Sequence, residues 1–208
     1  MMFNAVVYGA CDSIRRYGVD SKITDQNQII PMKTKNTDGR SATNERAARA
    51  TAIIDRSDEP PVLVVVDMML EFKASRDPET QTAVAAEIRR AMAAGEAIIF
   101  VEYAGGPSST YRDLLALVQD YKVWCVVEKH TDGGAEEVFE ACMENGYWPE
   151  NFRFVGVNAD GCIFSTVEGL CAKLRHCHIE IVRAACHTDS GWTNWPRKFE
   201  NMPNVAVV

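Results

Sequence analysis

The sequence predicts a three-layer α/β/α domain on a mostly parallel sheet of about six strands, and three observations carry that expectation. From Pro60 onward, short apolar runs alternate with longer amphipathic stretches, as strands do when crossover helices link them. The strand runs are almost wholly apolar, the composition of strands covered on both faces. Glycines stand where helices should stop, and side chains with useful chemistry stand where strands should stop.

In chain order, the strand-like runs are Val62 to Val66, Ala97 to Val101, Val123 to Val127, Phe152 to Val157, Ile179 to Val182 and Val205 to Val208. Their β-branched and aromatic content suits a pleated, buried surface. The helix-like stretches are Pro78 to Ala94 before Gly95, Thr110 to Asp120, Ala135 to Asn145 before Gly146, and Ile163 to Arg175. In the last of these Ile163, Val167, Leu170 and Leu174 recur at helical spacing and form one stripe for burial against a sheet. Right-handed crossovers then put helices on both faces.

Residues 1–58 lack sustained periodicity apart from a short apolar run at 5–8 and an Ala- and Arg-containing stretch at 44–54 that suits a short helix. They read as an N-terminal extension or arm, either partly disordered or packed on a neighbouring subunit, ahead of a single domain over 59–208. With 208 residues and 47% hydrophobic content, one core is sufficient. A net charge of -7, with no basic block, gives no reason to expect nucleic acid. No apolar run is long enough to cross a bilayer, and the N-terminus lacks a secretion-signal pattern, so a soluble, cytoplasmic protein without a membrane partner is expected. The seven cysteines form no C-x-x-C pair and indicate neither a zinc site nor a disulfide framework.

The ends of three strand runs hold the chemistry. Asp67 closes the first, Lys129 closes the third, and Cys162 follows the fourth after Asn158-Ala159-Asp160-Gly161. Ligands bind beyond the carboxyl ends of strands in open parallel sheets, so the three are expected to share one cleft. Cys162 is placed at the start of a helix, where unpaired N–H groups and the helix dipole favour a thiolate. Asp67 is suited to take the thiol proton, Lys129 to hold that carboxylate ionised, and the N–H groups of Asn158 and Cys162 to hold an oxyanion. Tyr103, Tyr111, Trp124 and Trp148 either line a pocket for a planar substrate or are packing groups.

These residues resemble the isochorismatase-like cysteine hydrolases, a superfamily that includes nicotinamidase, N-carbamoylsarcosine amidohydrolase, ureidoacrylate hydrolase and isochorismatase. The resemblance runs from about Pro60 to the C-terminus. It rests on the run from Val64 through Asp67-Met68-Met69-Leu70-Glu71-Phe72, on Val127-Glu128-Lys129, and on Gly156-Val157-Asn158-Ala159-Asp160-Gly161-Cys162. It implies a Rossmann-like fold, with Cys162 as nucleophile, Asp67 as proton acceptor and Lys129 as the third catalytic member. It further implies a cis peptide between Val157 and Asn158, and homo-oligomers, either dimers or tetramers. Met69 stands where the family often has Gln, and Ala159 where it often has Thr. Phe72, Tyr103 and Met69 are the candidate pocket residues. Nicotinamidases carry a metal-binding Asp-x-His set after the second strand, whereas Glu102-Tyr103-Ala104-Gly105-Gly106 contains no histidine. No metal and no other cofactor are therefore expected.

The function that follows is hydrolysis of a carbon-nitrogen bond in a small amide, carbamoyl or ureido compound through a thioester. Two alternatives keep the fold: hydrolysis of a vinyl ether, as in isochorismatase, and a binding or scaffold protein without catalysis.

Overall fold

The computed structural model of the protein describes residues 60–208. The arm expected over 1–58, with its apolar run at 5–8 and helix at 44–54, lies outside the described residues. Six strands form one sheet: β1 (Val62–Val66), β2 (Ile98–Tyr103), β3 (Trp124–Lys129), β4 (Asn151–Val157), β5 (His178–His187) and β6 (Val205–Val207). Their order is β3-β2-β1-β4-β5-β6 and every pairing is parallel. The chain lays strands outward in one direction from β1 to β3 and in the other from β4 to β6. The order therefore reverses between β1 and β4, where parallel α/β sheets open a crevice at their carboxyl edge.

Among the described residues, four α-helices cover the sheet: α1 (Pro78–Ala94), α2 (Arg112–Leu117), α3 (Ala135–Asn145) and α4 (Phe164–Lys173). Alternate side chains of β1 sort the core into two layers. Val62, Val64 and Val66 face a cluster with Val138 and Cys142 of α3 and Val167 and Leu170 of α4. Leu63 and Val65 face another with Val84, Ile88 and Ala91 of α1 and Leu114 of α2. This is the expected three-layer arrangement.

Local chemistry sets the boundaries of α1. The Asp77 carboxylate accepts the Thr80 N–H at 2.8 Å, Pro78 occupies the first turn, and Gly95 closes the helix at φ 73°. An N-cap acid, a proline that gives up no intrahelical bond and a left-handed glycine satisfy the groups that helix ends leave unpaired. Gly146 ends α3 in the same way at φ 69°.

Three elements differ from the sequence expectation. β5 runs on to His187, well past Val182, with a register shift opposite Phe154 and Gly156. α2 is confined to Arg112–Leu117. The segment entering α4 begins as a π-helical turn, Ala159–Ile163, so Cys162 lies inside a wide turn and α4 itself starts at Phe164.

Candidate active site

Asp67 follows β1 directly, and its N–H donates to the Val101 carbonyl of β2 at 2.9 Å, so it continues the ladder for one residue. Its own φ is 52°, a left-handed conformation uncommon for a residue with a side chain. That backbone turn releases the chain from the sheet at Met68 and leaves the Asp67 side chain fully buried. Lys129 is the last residue of β3 and is also fully buried. Its Nζ lies 3.1 Å from Asp67 Oδ2, across the end of the intervening strand β2. The same ammonium donates to the Thr131 carbonyl at 3.1 Å and faces the Tyr103 ring at 5.2 Å from its centre.

Neither Asp67 oxygen receives a hydrogen bond of good alignment, so charge more than directional bonding joins the carboxylate to its neighbours. Burial pushes the Asp67 carboxyl above its ordinary value; Lys129 and the Cys162 thiol pull the other way, and burial prevails. Cys162 is 7% exposed. Its thiol is pushed up to about 12, first by burial, then by the Asp67 charge and by contact with that carboxylate, with Lys129 opposing. The structure thus brings together Asp67, Lys129 and Cys162. Burial and the acid beside it push the Cys162 thiol up, against the pull toward thiolate expected of a helix N-terminus.

The turn that carries Cys162 is built from β4. Gly156 has φ 116°, and a Cβ there would lie 2.2 Å from the Val66 carbonyl oxygen, so only glycine lets β4 run this close to β1 immediately before Asp67. Asn158 leaves the strand at φ -73°, ψ 111°, and its carbonyl accepts the N–H groups of Gly161 and Ile163, each at 3.1 Å. Neither of these bonds uses the N–H of Asn158 or of Cys162. The peptide between Val157 and Asn158 is trans, as are all others among the described residues, which corrects the cis peptide expected there. A non-proline cis bond costs about 3 kcal/mol, and the wide turn already directs the Asn158 carbonyl inward without it.

Of the three candidate pocket residues, Tyr103 is half-buried against Lys129. Met69 is buried, and its Sδ accepts the Tyr103 N–H at 3.3 Å. Phe72 packs against the cluster that includes α1 and α2. The loop holding Met69 and Phe72 is fastened to the loop after β2, where the Ser108 N–H donates to Glu71 Oε1 at 2.6 Å. Among the other aromatic residues, Trp124 meets Phe100 edge-on at 5.9 Å and Tyr111 borders the same core, both as packing groups.

The residues that end β2, Glu102 and Tyr103, do not fit a metal. Glu102 Oε1 accepts the Thr110 N–H at 2.8 Å, Tyr103 lies on Lys129, and among the described residues no three His, Cys, Asp or Glu side chains gather into a ligand set.

Sequence reasoning missed two supports. The Thr166 hydroxyl donates to the Cys162 carbonyl at 2.7 Å and accepts the Gly134 N–H at 2.9 Å, all in the buried interior. It thereby ties the loop after Lys129 to the residue that carries the thiol. A threonine four residues beyond Cys162 was the only signal, and helical threonines commonly bond the carbonyl four residues back. The loop after β5 is the second support, for the Asp189 N–H donates to Asn158 Oδ1 at 2.7 Å and Ser190 Oγ to Asp160 Oδ2 at 2.7 Å. Nothing near Asn158 in the sequence points to that partner.

No family model matches the sequence, and neither does any curated protein. Solved structures do. A nicotinamidase from Staphylococcus aureus is similar with a TM-score of 0.60 and 15% identity, over 71% of this chain and 97% of that one. An N-carbamoylsarcosine amidase from Thermoplasma acidophilum is similar with a TM-score of 0.56 and 21% identity, over 71% and 94%. A structure described as the MAR1 ribonuclease from Caenorhabditis elegans is similar with a TM-score of 0.59 and 19% identity, over 71% and 76%. At these identities the likeness shows a shared fold, and one fold hosts several chemistries.

Proposed function

We propose that the protein is a cysteine hydrolase that cleaves the carbon-nitrogen bond of a small amide, carbamoyl or ureido compound, with Cys162 as nucleophile, Asp67 as general base and acid, and Lys129 as their charged partner. The observation that carries this reading is the fully buried Asp67–Lys129 ion pair beside the Cys162 thiol. Sealing two opposite charges in a core gains little stability over packed hydrocarbon, so the arrangement is better accounted for by chemistry than by folding. Two of the three similar structures described above bear amidase names, which supports the choice of bond.

The raised Asp67 carboxyl makes it a stronger proton acceptor than an exposed carboxylate, and the neutral thiol stays unreactive until a carbonyl carbon is presented. The thiol proton then passes to Asp67 as sulfur attacks that carbon, and the carbonyl electron pair moves onto oxygen. N–H groups of Asn158 and Cys162 receive the oxyanion, each such donor being worth roughly 3 kcal/mol. Lys129 offsets the negative charge as it leaves the carboxylate. Collapse expels the amine, which takes the proton from Asp67, and leaves a thioester. Water gives a proton to Asp67 and attacks the thioester; the second collapse releases the acid and returns the proton to sulfur. Tyr103, with Met69 and Phe72 beside it, is the proposed wall of the substrate pocket.

The test is a screen of small amides and ureides for ammonia release, with Cys162→Ala as the control. The wild type should release ammonia and show an acyl adduct on Cys162 by intact mass, while the variant stays folded and loses at least about 10³-fold in turnover. Undiminished turnover in folded Cys162→Ala would remove the mechanism.

A further inference from the structure

Cys171 and Cys177 have no role in the chemistry above, yet their sulfur atoms meet. Cys171 lies in the last turn of α4 and is partly exposed. Cys177 immediately precedes β5 and is buried. The Cys177 thiol is directed at Cys171 Sγ across 3.9 Å. We propose that this pair is a dithiol modification site that closes reversibly to a disulfide by exchange with a small-molecule disulfide.

The two positions divide the work. Cys171 is the one a dissolved reagent can reach. Burial raises its thiol overall, and the S–H of Cys177, directed at its sulfur, opposes that rise in part. Cys177, pushed up to about 12 by burial and by Cys171, is held back for the second step. In the first step the Cys171 thiolate attacks the reagent disulfide, a mixed disulfide forms, and one reagent thiolate leaves. In the second, Cys177 gives up its proton to that thiolate or to solvent and attacks Cys171 Sγ, expelling the other half of the reagent. Two protein thiols are oxidised, one reagent disulfide is reduced to two thiols, and the two protons end on those products.

Closure requires the sulfur atoms to approach from 3.9 Å to about 2.05 Å. Short hydrogen bonds flank the connection between them, at Leu174 and at His178, whose N–H meets the Glu150 carbonyl at 2.6 Å. After the 2.7 Å bond from the Leu174 N–H to the Leu170 carbonyl, the Cys177 N–H reaches Leu174 O only at 3.4 Å and Asn204 Nδ2 reaches Arg175 O only at 3.5 Å. A loop with long bonds can yield the required distance without unseating α4 or β5.

The full chain would be incubated with oxidised glutathione at neutral pH without oxygen, quenched with N-ethylmaleimide and mapped by peptide mass. The wild type should yield a peptide joining Cys171 to Cys177, two hydrogens lighter than the dithiol and reopened by dithiothreitol. Cys177→Ser should stop at a persistent glutathione adduct on Cys171, and Cys171→Ser should lose exchange at Cys177 altogether. The reaction uses none of Asp67, Lys129 or Cys162, so Cys162→Ala should close the bond at the wild-type rate. A wild-type protein in which both thiols remain open to alkylation, or in which glutathione stays on Cys171 with no cross-link, overturns the proposal, and this arm needs no variant.

Discussion

Replacing Lys129 by Met keeps much of the side-chain volume and removes only the charge, which isolates the role of the buried pair. At 3.1 Å, two unit charges attract by about 5 kcal/mol at the effective dielectric suited to protein interiors. Desolvation of the two groups costs several kcal/mol each, so the intact pair adds little net stability. Taking away one partner is different, because it leaves Asp67 buried with no counter-charge, at a cost of about 3 to 5 kcal/mol. In a domain of this size that is a fall in Tm of roughly 6 to 20 °C. The pH dependence has a definite sign. Asp67 already has a folded-state pKa above its ordinary value, and losing Lys129 raises it further. The folded state then binds the proton more tightly than the unfolded state, so stability is highest at acid pH and is lost as pH rises through the folded pKa. Lys129→Met should therefore melt close to the wild type in mild acid and well below it at neutral pH. Turnover should fall sharply at both: in mild acid a protonated Asp67 cannot accept the thiol proton, and at neutral pH no ammonium remains to support the carboxylate through the proton transfer. The double variant Lys129→Met with Asp67→Leu should recover most of the lost Tm and none of the activity. Thermal melts across pH measure all of this. A single variant that melts within a degree or two of the wild type at neutral pH would refute the claim that the carboxylate depends on that ammonium.

Gly156→Ala places a Cβ 2.2 Å from the Val66 carbonyl oxygen at a backbone φ of 116°, so β4 must part from β1. A loss of at least about 3 kcal/mol is expected from clash and strain together, read as a lowered denaturation midpoint; an unchanged midpoint would mean the strands are not so close. Thr166→Val removes the hydroxyl linking Gly134 to the Cys162 carbonyl while keeping the side-chain shape. It should lower kcat by roughly 10- to 100-fold with KM little changed, and Thr166→Ser should restore it. Equal kcat in the Val variant would reduce Thr166 to a packing residue.

Much of the fold is legible in the sequence because burial on both faces leaves its mark in composition. Val62–Val66 is apolar at every position, and each of its residues is buried. α1 is delimited by Asp77, Pro78 and Gly95, residues whose local chemistry settles a helix end without tertiary help. The second half of β5 escaped notice because Arg183, Ala184 and His187 are exposed and only Ala185 and Cys186 are buried, a mixed pattern that does not read as a covered strand. At the site, Asp67 and Lys129 could be nominated because each ends an apolar run. The state of the Cys162 sulfur could not, since it depends on how deeply the fold buries it and on the acid beside it. The meeting of Cys171 with Cys177 was hidden for a similar reason: their spacing matches no motif, and only the path from α4 to β5 brings them together.

The strand order also bears on when the chemistry can exist. Asp67 and Lys129 both belong to the half of the sheet laid down by β1, β2 and β3, while Cys162 arrives on the far side of β4. A chain emerging from synthesis can assemble the acid and the amine first, but the Cys162 sulfur meets Asp67, its proposed proton acceptor, only when β4 docks along β1. On the proposed mechanism, hydrolysis therefore waits for the pairing of β1 with β4 at the sheet's centre, which completes the site.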